Sequence, residues 1–523
     1  MLALAAICLC QVMAVAQPPQ PQLRMRWQDF VKGPDGAKRL ASLQKAVVKM
    51  KSLDSSPTNS VDYRRSWQFW ANIHGYYGRT SVDGTVEDQI SYLQSIGLGQ
   101  YVKYYNGIKD QPAPDAIAQS IWATCEHSYT DQQGNLHQAN FFGWHRMYLY
   151  YFERVLRWAA QDDTLRLPYW DYTDPKQEIL PVEFRKTSSP IYDAKRNPQV
   201  NNGSAALNPS STNIDDFLSN TDYLPAELSV EEGVHGYVHC TVGPTCPVAH
   251  MGDVPVAGND PVFYSHHANI DRLWACWQKI HGTKPTGAPW EEQKFSFVDE
   301  TGTLQTRPVK DFLDSATLGY VYDNVSDCAR KPAVVAAAPV ARLAAAGPSE
   351  ESKPVTLGAV GSVAITSPTT AVDLTVPHQA MVNALAAPRA AGSMELVLHD
   401  VGADTPPGTL FNVYLAVKGD PAKRQQIGTI SWFGAFNNHH AGHGVVQKRT
   451  YTFNVTDALR ALGSDADTAG VQVVLEASNG LVPTKRPGFA AQAQQTQQAF
   501  RPEANMRIGS IELRAVPASG ANP

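Results

Sequence analysis

Six histidines stand at spacings that can gather metal ions. His235 and His239, in HGYVH, are one helical turn apart and share a helix face. His267 follows in the apolar run DPVFYSHHANIDRLW, next to His266. Three imidazoles brought together in this way suit copper, zinc, iron or nickel. This spacing holds no carboxylate to mark a two-histidine iron site, and HGYVH lacks the glutamate of the zinc hydrolase motif HExxH. Neighbouring helical residues point about 100° apart, so one of His266 and His267 is expected to face the metal and the other to stand behind it. Asp271, four residues past His267, can orient that imidazole or join Arg272 in packing ion pairs. The same pattern recurs upstream. His74 closes SWQFWANIHGYY. His145 lies in FFGWHRMYLYYFERVL, where a buried imidazole beside Trp144 and Phe142 is costly without a partner. The third upstream ligand is His127 in TCEH or His137 in NLHQANFF. Two metal ions are therefore expected.

Long amphipathic patterns must position these side chains. SVDYRRSWQFWANIHGYY, FFGWHRMYLYYFERVLRWAA and DPVFYSHHANIDRLWACWQKIHG read as helices, the last started by Asp260 as N-cap and Pro261 at the first helical position. Pro, Gly, Asn and Asp fill the long loops between them. The fold expected for residues 17–330 is a mainly α catalytic domain, a helix bundle around the metal pair. Residues 331–355 shift abruptly to Ala, Pro and Ser and read as an exposed, cleavable linker. Over 356–516, MELVLHDV, FNVYLAVKG, IGTISWF, RTYTFNV, VQVVLEAS and RIGSIELRAV alternate and are β-branched, which predicts an antiparallel β-sandwich. A Gln-rich stretch near 491–499 reads as a loop, and 517–523 as a tail.

At 523 residues the chain is too long for one core, and two domains are the natural division. A net charge of -5, from 44 basic and 49 acidic residues, gives no electrostatic case for nucleic acid or an anionic membrane. No later segment is long and apolar enough to span a bilayer. The apolar start MLALAAICLCQVMAVAQ, with Ala14-Val15-Ala16 before Gln17, reads as a signal peptide over 1–16 and predicts secretion or an endomembrane lumen. Sequons at Asn202, Asn324 and Asn454 lend weak support. Five cysteines follow the presumed signal: Cys125, Cys240, Cys246, Cys276 and Cys328. If Cys125 has a separate fate, the other four allow three connectivities, among them Cys240–Cys246 with Cys276–Cys328.

Several of these segments together resemble the type-3 copper family of tyrosinases, polyphenol oxidases (catechol oxidases) and molluscan-type haemocyanins. They are ANIHGYYG, WATCEHS, FFGWHRMYLYYFERVL, LRLPYWDYT, GVHGYVH and DPVFYSHHANIDRLWACW, in family order over roughly residues 60–280. LGYVYD, with Tyr320 and Tyr322, resembles the Tyr-x-Tyr mark that closes the family's catalytic domain, and FNVYLAVKG its C-terminal domain. The resemblance implies one copper at His74, His127 and His145 and another at His235, His239 and His267. It implies a thioether between Cys125 and His127, which accounts for the odd cysteine. The spacing from His127 to His145 is longer than usual in the family, and His137, eight residues before His145, stays as the alternative. Such a centre binds O2 and oxidises o-diphenols, and in some members monophenols, to o-quinones. Glu231 matches a family position that holds a water for proton removal. Gly236 stands where many tyrosinases carry Asn, which argues against efficient monophenol hydroxylation. Val254 holds the position of a bulky gate and predicts a more open entrance.

The resemblance also makes the β-domain a shield over the entrance of a latent proenzyme, removed when a protease cuts the linker. Phe433 or Phe436 is the expected plug. FNNHHAGH, with His439, His440 and His443, reads as a polar loop rather than a second metal site. Phenols and O2 are the expected small-molecule partners. The competing reading is a haemocyanin-like O2 carrier, which a single catalytic unit without tandem repeats disfavours.

Overall fold

The computed structural model describes residues 20–75, 87, 90–91, 94, 116–121, 129–130, 136–137, 140–247, 250–282, 289–325, 328, 354–386, 392–436, 448–463, 470–485 and 498–517. Residues 1–16, Cys125, His127 and His439, His440 and His443 lie outside the described residues, as does nearly all of 331–355.

The first half is built on α1 (Gly36–Ser52), α2 (Trp67–Ile73), α3 (Phe141–Ala160), α4 (Gly236–Val242) and α5 (Val262–His281). In α3 only Tyr150, Arg154, Arg157 and Trp158 reach solvent, one narrow stripe on an otherwise buried helix. Gln161 and Gly282 take left-handed backbone and end α3 and α5.

Two helical expectations need correction. SVDYRRSWQFWANIHGYY is not one helix. Ser60 and Ser66 each accept a backbone N–H, from Tyr63 and Phe69, and so start two separate helices, Val61–Arg64 and α2. In α5 the cap itself is Pro261. The Asp260 carboxylate accepts Val262 N–H at 3.0 Å and pairs with the buried Arg196 at 2.6 Å.

Asp271 does not orient His267. It is the hub of a buried network that clamps α5 to α3 and to the parallel pair Gln22–Arg24 and Tyr320–Tyr322. Arg146 reaches it at 2.5 Å, Arg24 at 3.2 Å, and the Tyr320 and Tyr322 hydroxyls donate to it at 2.7 and 2.6 Å. Arg272 pairs instead with Asp171 at 2.8 Å. The arginines hold the Asp271 carboxyl below its ordinary range in spite of burial. Disulfides join Cys240 to Cys246 and Cys276 to Cys328.

The second half is a two-sheet sandwich. Its strands are β1 (Val355–Val360), β2 (Thr369–Leu374), β3 (Gly392–Val401), β4 (Leu410–Val417), β5 (Asp420–Ile430), β6 (Arg449–Asn454), β7 (Val471–Ser478) and β8 (Ser510–Pro517). One sheet runs β2-β7-β4-β5 and the other β6-β3-β8-β1, all pairs antiparallel. Opposed apolar pairs such as Val413 with Leu475 and Leu396 with Leu513 fill the space between them. IGTISWF leaves the sheet after Ile430, and RIGSIELRAV splits into Arg507–Ile508 and β8. The early departure after Ile430 decides what Ser431–Phe436 can reach.

The two halves are joined by backbone. Ala205–Leu207 pairs antiparallel with Leu481–Pro483. The Tyr237 hydroxyl, on α4, donates to Gly480 O at 2.6 Å and accepts from Asn208 N–H at 2.6 Å. The Asp216 carboxylate accepts Asn454 N–H from β6 at 2.8 Å. Among the described residues no helix is long and apolar enough to cross a membrane.

Candidate metal centre

Five of the histidines singled out from sequence meet in the middle of the helical half. His74 caps the C-terminal end of α2, His145 is in the first turns of α3, and His239 and His267 lie on α4 and α5. His235 ends a π-helical stretch, Ser229–His235, whose kink at Gly233 turns the chain into α4. All are buried, His74, His239 and His267 at 0% exposure.

Four of these rings are tethered alike. The Nδ1–H of His74 donates to Val254 O at 2.7 Å, that of His145 to Phe141 O at 2.7 Å, that of His235 to Glu231 O at 3.0 Å and that of His239 to Met251 O at 2.6 Å. A carbonyl can only accept, so each Nδ1 carries the proton and each Nε2 the lone pair. The Nε2 atoms of His74 and His145 lie 3.5 Å apart, and those of His239 and His267 3.3 Å. His145 and His267 stack at 4.4 Å, which makes one continuous group. Ligand atoms of His235, His239, His266 and His267 fall within 4.8 Å of one another, and so do those of His74, His145 and His267.

The Nε2 lone pairs of His74 and His145 repel at this distance unless a cation lies between them. Desolvation, reinforced by the neighbouring imidazoles, holds His239 and His267 well below their ordinary pKa, so both rings are neutral. Buried neutral imidazoles with oriented Nε2 atoms are the donor set that copper takes. Phe141 and Phe263 pack on the rings at 4.7 and 4.3 Å, against His145 and His267, and keep the group dry.

His266 and His267 both place a ligand atom in the group. His137 belongs to a two-residue strand with Leu136, paired to Tyr129–Thr130. Glu231 is 7% exposed, which excludes a solvated carboxylate. Its neighbour Glu232 is pushed up to about 8 by burial, against the pull of Arg449.

Glu227 was missed from sequence. Its Oε1 accepts Phe142 N–H at 3.0 Å and the Tyr223 hydroxyl at 2.8 Å, and burial pushes it up to about 8. Its place eight residues before His235, on the same helical run, is the signal that could have marked it. Tyr172, also missed, bonds the Nδ1 of His266 at 2.9 Å. Val254 lends its carbonyl to His74, and its side chain is buried at 1% exposure against the loop at Gly434.

Among the described residues, the sandwich reaches the histidines through one ring. Phe433 stacks on His239 with centroids 3.8 Å apart and planes at 10°, and meets His235 edge-on at 5.3 Å. Phe436 turns back to Trp432 at 5.8 Å, so of the two expected plugs only Phe433 touches the histidines among the described residues. Gly236 lies under the same loop, where an added Cβ would meet Ser431 Oγ at 2.8 Å.

Comparison with known proteins covers this ground. The common central domain of tyrosinase matches residues 64–206 and 181–280, and the polyphenol oxidase middle domain matches 286–333. Polyphenol oxidase A1 of Vicia faba is 31% identical over 222 residues, 35% of this chain and 36% of the relative. A tyrosinase of Hahella sp. (strain CCB-MM4) is 28% identical over 314 residues, 54% of this chain and 60% of the relative. The chain spans about a third to a half of the length of the first relatives it matches, 36% and 47%. The fold is shared with latent apple tyrosinase, at a TM-score of 0.51 and 19% identity over 96% of this chain and 99% of that one. It is shared also with latent aurone synthase, at 0.52 and 20% over 96% and 91%. Residues 64–280, which hold the buried histidine group, thus carry the common central domain of tyrosinase, and residues 286–333 the polyphenol oxidase middle domain.

Proposed function

We propose that this protein oxidises o-diphenols to o-quinones with O2 at two copper ions, and that it is made latent. His74, His127 and His145 would hold one ion, with His137 as the alternative to His127, and His235, His239 and His267 the other. The observation that carries this reading is the common tether: four imidazoles give Nδ1–H to backbone carbonyls and present Nε2 to one buried space. Bound there, the copper pair supplies the binding and reduction of O2 and takes the electrons of the phenol.

The chain's residues do the rest. The carbonyl tethers fix the rings before any ligand arrives. The phenyl groups exclude water. Glu231 is the carboxylate proposed to take the phenol proton, through a water. Its neighbours Glu232 and Glu227, both pushed up to about 8 by burial, stay protonated at neutral pH and leave Glu231 as the carboxylate of the three. Phe433 lies flat on His239, where an aromatic substrate would have to stack, so substrate and plug compete for one place. Latency follows, and a protease cutting within 331–355 would allow the plug to leave. Cys125 would join His127 as a thioether. Two disulfides in the helical half support passage through an oxidising compartment and so the exported location, although curated relatives are named chloroplastic.

The test is copper analysis with turnover of a monophenol and a diphenol, before and after limited proteolysis. Two coppers per chain and quinone colour from the diphenol, rising once the cut pieces separate, are expected. Reversible O2 binding without quinone would make the protein a carrier instead.

A further inference from the structure

His266 lies outside the six ligands assigned above, yet it sits among them. It is fully buried, at 0% exposure. Its ring is nearly parallel to His235, at 5.4 Å and 11°, and edge-on to His239 at 4.8 Å. Its Nδ1 is taken by the Tyr172 hydroxyl at 2.9 Å, and its Nε2 has no hydrogen-bond partner among the described residues. A buried ring nitrogen with nothing to bond is costly, and such atoms in folded proteins ask for an occupant. The occupant is indicated by the neighbours. His235, His239, His266 and His267 each offer one ligand atom, all within 4.8 Å of one another. With Nδ1 engaged, the atom His266 has left to offer is Nε2.

A neutral imidazole has one proton and one lone pair. If Nδ1–H donates to the Tyr172 oxygen, Nε2 keeps the lone pair and can bind a metal. Tyr172 is itself fully buried, and its phenol oxygen can accept that bond.

We propose that His266 is a fourth nitrogen ligand of the second copper position, used while that position holds an ion alone, and that Tyr172 is the positioning residue that keeps its Nε2 bare. This rests on the copper reading of the centre. Four imidazoles from one side of the group hold an ion without help from His74 or His145. The second position can then fill first and keep its ion until the first is occupied. When both are filled, His266 yields and three donors remain at each.

The test isolates the second position. Copper-free, full-length protein carrying His74→Ala is given one equivalent of copper(II), and the coordinated imidazoles are counted by pulsed electron paramagnetic resonance. Four are expected. Adding His266→Phe should lower the count to three and weaken binding, read by competition with a chromogenic chelator, by about tenfold or more. Tyr172→Phe should weaken it by less while leaving the fold's melting curve in place. Three imidazoles in His74→Ala, or unchanged count and affinity after His266→Phe, overturns the fourth ligand. Unchanged affinity in Tyr172→Phe overturns the positioning role. Should His266→Phe fail to fold, the count in His74→Ala alone decides. Wild-type protein that binds no copper would instead sink the reading of the centre itself.

Discussion

The histidine centre and the loop that covers it are both buried, but they are held by different partners. The centre is tied within the helical half: its Nδ1–H groups go to Val254, Phe141, Glu231 and Met251, and behind them Asp271 locks α3 to α5. The covering loop is tied within the β half. Arg449 Nη2 donates to Phe433 O at 2.5 Å, the Tyr451 hydroxyl to Ser431 O at 2.6 Å, and Trp432 Nε1 to Thr409 O at 3.0 Å. What passes between the two at the centre is mainly ring stacking. At this contact each half therefore keeps its own hydrogen bonds. A site that keeps its own hydrogen bonds can be uncovered without being dismantled, which is what latency requires.

The separation can be broken first from the centre. His239→Ala removes a proposed metal ligand and the ring on which Phe433 stacks. Copper content should fall from two toward one, and diphenol turnover by about a hundredfold or more, since even outer partners of metal ligands cost up to that much. Turnover within a few-fold of wild type would show that His239 is not a ligand.

Next comes the plug. Phe433→Ala should raise the activity of uncut protein about tenfold or more, since each 1.4 kcal/mol favouring the plugged arrangement is worth about a factor of ten. Phe436→Ala should leave latency in place. Equal effects of the two would place the block elsewhere in the loop.

Cutting the linker sharpens the comparison further. The paired strands Ala205–Leu207 and Leu481–Pro483, with Tyr237 to Gly480, hold the halves together without the linker. Protein cut within 331–355 should run as one species on gel filtration, and activity should rise severalfold only as dilution or mild denaturant separates the pieces. Immediate separation would show that these contacts are too weak to hold the shield.

Glu227 tests the helical half alone. Its folded pKa, about 8, lies above its ordinary value of 4.5, so the folded state holds the proton where the unfolded chain has lost it. That contribution is complete at low pH and is lost as pH rises from about 4.5 to about 8, on the order of a few kcal/mol at most. Glu227→Gln keeps an oxygen for Phe142 N–H and Tyr223. Melting temperatures should therefore show the variant gaining on wild type as pH rises through this window. Parallel curves would mean that Glu227 is not neutral in the fold.

The smallest effect belongs to Val254. In cut protein Val254→Phe should raise KM for bulky phenols by about tenfold or less and leave kcat nearly unchanged. No change would remove its role at the entrance.

Local repetition made much of this legible in the chain. Imidazoles at i and i+4 share a face whatever surrounds them, so His235 and His239 could be paired before any fold was known. Apolar periodicity placed α3 and α5 almost to the residue, and alternation placed β3, β4, β6 and β7. Capping was harder to read. SVDYRRSWQFWANIHGYY has continuous helical propensity, and only the bonds made by Ser60 and Ser66 divide it.

Sequence by itself determined which residues could act: imidazoles at ligand spacing, cysteines enough for two bridges, and a change from helical to strand period that separates the halves. Those properties belong to single segments and follow from backbone geometry. Tertiary structure alone decided who meets whom. It turned His266 inward to Tyr172, gave Asp271 to Arg24 and Arg146 instead of His267, and chose Phe433 over Phe436 by ending β5 at Ile430. Such choices depend on packing between segments distant in the chain, where a shift of one residue in a strand or a fraction of a helical turn exchanges one partner for another.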